Sequence, residues 1–273
     1  PKVDFVFKNI FGSPNHPEIL ISFLNATLKA KKKIVNVDIK KTDIEKQYIE
    51  DKYSRLDVKA TTSNDEIINI EIQLKNENNM VKRSLYYLSK MYEEQLNEKE
   101  DYSKLVRTVC INILNFKYLK TDNFHTGYRF KEIESNEELT DIMEVHFIEI
   151  PKLQDSSDEK DMLVAWTEFL KDPESEKVRG LELSIEEIRQ AKDELIRMSN
   201  DSTQRELYDM RANSLRDKMS ELNAAERKGI EKGREEGRKE EKIKIARNMK
   251  LSGLDTNTIA KITNLSEDEI DKL

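Results

Sequence analysis

YSRLDVKATTSNDEIINIEIQLK, residues 53–75, reads as two strands and a turn. Leu56, Val58 and Ala60 alternate with Arg55, Asp57 and Lys59. Ile68, Ile70, Ile72 and Leu74 then alternate with Asn69, Glu71, Gln73 and Lys75. That period of two belongs to strands with one apolar face, and Thr-Thr-Ser-Asn-Asp between them is turn chemistry. A one-residue slip would mix the two faces, so opposed residues must have an even sum. The most symmetrical register is centred on Asn64 and pairs Leu56 with Ile72, Val58 with Ile70 and Ala60 with Ile68. It also sets Asp57 opposite Glu71, where like charges repel. Two readings answer that repulsion. Either a hard divalent cation with oxygen ligands bridges the pair, or the two carboxylates share an exposed, solvated face.

An Asp on one strand, a short turn and Glu-x-Lys on the next form the signature of the PD-(D/E)XK nucleases. Asp57 with Glu71-Ile72-Gln73 resembles it, with Gln in the Lys position. The flanking stretches DFVFKNIFG (4–12), KRSLYYLSK (82–90) and DYSKL (101–105) resemble the recombination-promoting nuclease/putative transposase branch, in that order and at plausible spacing. The resemblance covers the first 150 residues well and the Gly-rich C-terminal helix more loosely. It implies an α/β fold, a mixed sheet flanked by helices, here with an all-helical C-terminal extension. It also implies metal-dependent DNA endonuclease activity, hydrolysing phosphodiester bonds in recombination or mobile-element DNA.

The same resemblance implies residue roles. Asp57 and Glu71, with the backbone carbonyl of Ile72, would hold Mg²⁺ or another divalent cation such as Ca²⁺ or Mn²⁺. Gln73 would orient the attacking water without the charge of a Lys. By strand alternation Lys75 shares a face with Glu71 and Gln73, and Lys59 shares one with Asp57, so either could supply that charge. Arg83 and Tyr87 match a polar pair beside the site, with DNA-backbone contact as the implied role; for Tyr87 a helix face lying on the sheet is the other reading. Asp4 matches the opening motif and reads either as an acid approaching the metal or as a helix N-cap. Lys8, four residues on, reads as its partner or as a phosphate contact.

Around this stretch the pattern gives a short amphipathic run from Phe5 to Gly12, a helix over 18–30 and a strand over 34–39. A helix from Met80 to Leu96 and a nearly continuous apolar strand over 106–116 come next, the latter covered on both faces. Further strands are expected over 127–133 and 143–151, with Val145, Phe147 and Ile150 buried. Beyond the polar break at 154–161 nearly everything reads as helix, with Trp166 as a packing anchor. Gly229, Gly233 and Gly237 recur every fourth residue, which reads either as a helix packed on a partner or second copy, or as a self-solvating linker. The tail has a helix-turn-helix look, with Ile259, Ala260, Ile262, Leu265 and Ile270 packing together and a Ser266–Glu269 capping box. Its second helix carries Glu267, Asp268, Glu269 and Asp271, so a packing or protein-contact module fits better than major-groove reading. The expected division is therefore a nuclease-like core over 1–153, a helical extension over 154–222, a Gly-repeat charged helix over 223–250 and the small tail over 251–273.

A formal charge of −7 and a pI near 5.4 disfavour a protein that coats nucleic acid non-specifically, although local charge decides docking. Lys29, Lys31, Lys32, Lys33, Lys40 and Lys41 form a basic cluster, solvated or phosphate-facing. Cys110, the single cysteine, excludes an internal disulfide and reads as a buried strand thiol. His16, His125 and His146 lack metal-ligand spacing, and no phosphate loop of the GxxxxGKS/T type occurs. With no apolar run long enough to span a bilayer, a soluble cytoplasmic protein is expected. DNA is the expected partner, with homodimerisation through the C-terminal helices. The alternatives are a catalytically weak DNA-binding or recombination accessory protein, and a helical interaction protein acting through residues 155–273.

Overall fold

The computed structural model describes residues 1–29, 32–40, 57–158 and 160–273, Lys218 by its backbone alone. Two helices, α1 (Asp4–Phe11) and α2 (Pro17–Leu28), precede strands β1 (Val37–Lys40), β2 (Val58–Thr62) and β3 (Ile67–Gln73). Helix α3 (Met80–Glu93) then leads to β4 (Thr108–Leu114), β5 (His125–Lys131) and β6 (Glu138–Glu149). The rest is helical: α4 (Met162–Lys171), α5 (Glu176–Glu182), α6 (Glu186–Asn200), α7 (Ser202–Leu251), α8 (Thr256–Thr263) and α9 (Glu267–Asp271). The described residues divide into two compact units, Pro1–Ala212 and Asn213–Leu273.

In the first unit the strands form one mixed sheet in the order β1-β2-β3-β4-β6-β5. β2 and β3 make an antiparallel hairpin in which Val58 faces Ile70 and Ala60 faces Ile68, the register centred on Asn64. Its Leu56–Ile72 pair lies outside the described residues. The turn closes through Asp65, whose backbone is left-handed (φ 61°) and whose N–H donates to the Thr62 carbonyl at 3.0 Å. Asp tolerates that conformation better than most non-glycine residues. β3, β4 and β6 run parallel, with α3 as the crossover from β3 to β4, and every β4 residue is buried, the polar Thr108 and Asn112 included, as a strand covered on both faces requires.

Alternation sorts the sheet into two faces. Ile68, Ile70, Ile72, Val109, Ile111 and Ile113 pack with α1, α2 and α4 in one cluster that includes Phe7, Phe11, Phe23 and Trp166. On the opposite face Cys110, Leu114, Val145 and Phe147 pack beneath Met80 and Leu88 of α3. Trp166 is fully buried, set edge-on against Phe11 and Phe23, and its indole N–H donates to Ser22 Oγ at 3.1 Å. It anchors the helical extension to the sheet's helices, as expected.

Several boundaries move. β1 starts at Val37 rather than 34, and β6 begins at Glu138, five residues early, because it pairs with β5 beyond the apolar stretch. The helical stretch beyond the polar break is interrupted between Glu182 and Glu186. Asp4 is not an N-cap: Val3 holds that position and Asp4 is the first helical residue, where a carboxylate still favours the helix dipole. α7 is one continuous helix of 50 residues, so the glycine repeat is helical, and among the described residues nothing lies within 4 Å of a Cβ placed on Gly229, Gly233 or Gly237.

In the second unit Ala246 of α7 packs with Ile259, Leu265 and Ile270. Ile262 is 57% exposed and stands outside that cluster, contrary to the sequence reading, since a helix of only eight residues turns a narrow face inward. The capping box of Ser266 and Glu269 is formed.

Candidate metal and active site

Hairpin register and strand alternation bring Asp57 and Glu71 together. Asp57 stands one residue before β2 and accepts the Ile72 N–H at Oδ2, 2.8 Å away. Glu71, two residues before the end of β3, is 1% exposed. Its Oε2 accepts from Arg83 Nε at 3.2 Å, and its Oε1 is buried with no hydrogen-bond partner among the described residues.

Burial governs the electrostatics. Desolvation pushes the Asp57 carboxyl up to about 7; the Ile72 amide and the Lys8 charge oppose it, while the Glu71 and Asp4 charges add to it. Desolvation also raises Glu71, against the opposing pull of Arg83, then of the Asn69 amide and then of Lys8. Two buried carboxyls that resist ionisation together, one with an unused oxygen, are a hard-oxygen donor set of the kind divalent cations take. Among the described residues no group of three or more His, Cys, Asp or Glu side chains has the arrangement of a metal site. Two carboxylates, a backbone carbonyl and water are the sparse protein set typical of Mg²⁺, and Asp57 with Glu71 offers the two carboxylates.

The other residues expected at the site have differing surroundings. Gln73 ends β3, half-buried. Lys75 lies in the bend beyond it, so strand alternation no longer dictates the direction of its side chain. Lys59 is on β2 and reaches Glu94 at 3.9 Å. Arg83, besides holding Glu71, lies 5.3 Å from the Tyr87 ring centroid. Tyr87 itself is 3% exposed and packs with Met91, the position of a helix face lying on the sheet. Asp4 pairs with Arg211 Nη1 at 2.8 Å. Lys8 lines a cleft of about 490 Å³ together with Asp57. In the basic cluster Lys29 bonds Asp161 and Lys40 bonds Asp38, while Lys31 and Lys41 lie outside the described residues.

Three features escaped the sequence reading. Asn69, two residues before Glu71 on the same strand face, is fully buried; its amide lies beside Glu71 and Cys110 and pulls the pKa of both groups down, although neither amide atom makes a well-formed hydrogen bond among the described residues. Its place in the alternation was the available signal. Arg107 bonds both Glu66 and Glu144, and Glu144 accepts from His146, whose ring meets His125 at 2.9 Å. No spacing in the chain signals that network, which the pairing of β3, β4, β6 and β5 assembles. Arg211 reaches the cleft from α7, more than 150 residues along the chain from Asp57. Cys110 is buried, and burial pushes its thiol up to about 12, the inert strand thiol expected.

Residues 1–225 match a family model described as PD-(D/E)XK nuclease family transposase. Residues 239–273 match that of the Rpn/YhgA-like nuclease family, C-terminal HTH domain. Neither a curated protein nor a solved structure matches the chain.

Proposed function

We propose, since the chain belongs to the PD-(D/E)XK nuclease family transposases, that it is a metal-dependent DNA endonuclease acting on recombination or mobile-element DNA. The observation that carries this reading is the buried Asp57–Glu71 pair with its unpartnered Glu71 oxygen. Asp57, Glu71 and the Ile72 carbonyl would hold Mg²⁺ or a similar cation. Bound there, such an ion lowers the pKa of a water and stabilises charge building on the phosphoryl oxygens.

The chain's own residues supply the rest. The Ile72 N–H fixes the Asp57 carboxylate through Oδ2, and Arg83 fixes Glu71 through Oε2, leaving Oε1 as the donor. Gln73 would orient the attacking water through its amide. Lys75 or Lys59 would bring the positive charge that Gln73 lacks, Lys59 only by leaving Glu94. The tail's match to a helix-turn-helix domain supports DNA as the partner. Acidic α9 faces phosphates unfavourably, so α8, with Lys261 exposed, is the better side for such a contact. No helix among the described residues is long and apolar enough to cross a membrane.

Purified protein incubated with plasmid and linear DNA, in Mg²⁺ or EDTA, beside Asp57→Ala and Glu71→Ala, tests the assignment. Cutting that needs Mg²⁺ and disappears in both variants is expected. A wild type that never cuts, or variants that cut equally well, would remove its support and favour a DNA-binding accessory role.

A further inference from the structure

The cleft at Asp57 is built from three separate parts of the first unit. Phe5, Lys8, Asn9, Gly12 and Pro14 come from α1 and the turn after it, Ile39 and Lys40 from the β1 edge, and Arg211 from the first third of α7. Gly12 keeps its wall close. A Cβ there would stand 2.6 Å from the Lys8 carbonyl oxygen of α1, so a larger residue would distort the end of that helix, while Val58 Cγ2 of the hairpin, at 3.4 Å, would be in ordinary contact. At about 490 Å³, the cleft has ample room for a sugar-phosphate unit.

Its charge is arranged for an anion. Among the described residues its lining holds three cations, Lys8, Lys40 and Arg211, against one acid, Asp57. Each outer cation is held by a solvent-accessible acid: Arg211 by Asp4 at 2.8 Å, with side chains 58% and 43% exposed, and Lys40 by Asp38. Exposed pairs of this kind contribute little net stability, and a phosphodiester offers a guanidinium bidentate, charge-assisted hydrogen bonds in exchange. Lys8 differs. It makes no ion pair among the described residues, and its charge favours ionised Asp57 and Glu71 alike.

We propose that Arg211, with Lys8 and Lys40, forms the phosphate-binding wall along which a DNA strand reaches Asp57, and that Asp4 is the internal carboxylate the DNA displaces from Arg211. The inference rests on the nuclease reading for its substrate class and goes beyond it by recruiting a residue of the C-terminal helix to the cleft. The long helix then contributes to substrate binding in the first unit, independently of the helix-turn-helix tail. Asp4, the acid of the opening motif, acts here on Arg211 as a competitor for phosphate.

The test is the affinity of the full chain for a short fluorescein-labelled duplex, measured in EDTA across a salt series. It compares wild type with Arg211→Gln, Asp4→Asn and, as a charge control elsewhere on α7, Arg238→Gln. Arg211→Gln is expected to weaken binding about threefold to tenfold and to lower the slope of log K against log salt by about one, the signature of one lost phosphate contact. Asp4→Asn is expected to tighten binding, because it frees the guanidinium while keeping it. A merely structural Asp4–Arg211 latch would move both variants in the same direction, and that result overturns the proposal. So does an Arg211→Gln effect no larger than that of Arg238→Gln. Cleavage in Mg²⁺, read in parallel, separates the two levels: a wild type that cuts with Arg211 immaterial sinks the inference alone. A wild type that binds through Arg211 without cutting sinks the nuclease reading alone, and one that neither binds nor cuts sinks both.

Discussion

Asp57 binds its proton more tightly in the folded protein than in the unfolded chain, its pKa rising from 3.8 to about 7 because burial penalises the carboxylate. Below about pH 4 both states are protonated and the residue costs nothing. As pH rises through the window from about 4 to 7, the unfolded chain releases the proton first and the metal-free fold loses stability, by about 1.4 kcal/mol for each pH unit crossed. Asp57→Asn, whose side-chain oxygen can still accept the Ile72 N–H, should therefore stabilise the metal-free protein by about a few kcal/mol at about pH 8 and hardly at all at about pH 4. Thermal melts in EDTA at the two pH values check this, and equal gains at both would refute it. A metal must displace the same proton, so metal affinity should climb with pH up to about 7. Arg83 offsets the neighbouring charge. Arg83→Ala leaves Glu71 buried and uncompensated, which should cost about 2–3 kcal/mol, below the value for a fully enclosed pair because Arg83 is partly solvated. Urea unfolding at about pH 8 measures it, and Mg²⁺ should recover more stability in the variant than in wild type. A loss near zero would mean that the pair behaves as a surface contact.

The elements that hold the site owe their positions to simple patterns. β2 and β3 alternate and therefore fix a register, and β4 is mostly apolar on both faces and therefore lies mid-sheet. α7 is the element whose sequence argued with itself. Its three glycines each cost about 0.8–1.0 kcal/mol relative to Ala in a helix interior, yet its other residues are mostly helix formers and the helix runs through them. No neighbour among the described residues occupies the glycine positions. Gly233→Ala should therefore raise helix stability by about that amount, seen as increased helical signal on heating by circular dichroism. A destabilised Gly233→Ala would instead reveal a second copy or partner seated on that face.

At the scale of the whole chain, buried apolar side chains concentrate in the first unit. Between Asn213 and the end of α7 most residues are exposed, until Ala246 and the tail form their small cluster. A helix with few buried contacts opens locally at low cost. Limited trypsin digestion should cut between Asn213 and Lys244 before it cuts within β3, α3 or β4. Mass spectrometry of the first fragments reads the order, and early cleavage inside those sheet elements would contradict the division into two units.

The sequence by itself determined the hairpin, its register, the sheet's buried strand and the carboxylate pair, because alternation and turn chemistry are local and a slip by one residue would expose the core. It also carried the family resemblance that the match over residues 1–225 bears out. Tertiary structure alone decided what surrounds that pair. Arg83 turns toward Glu71 because α3 crosses back over the sheet face that Glu71 occupies. Asp4 lost the cap reading to Val3 and gained Arg211 from α7. His125 and His146 meet only through β5–β6 pairing. These contacts join residues between 12 and more than 200 positions apart. No local pattern encodes them, since they depend on which surfaces the packed elements bring together.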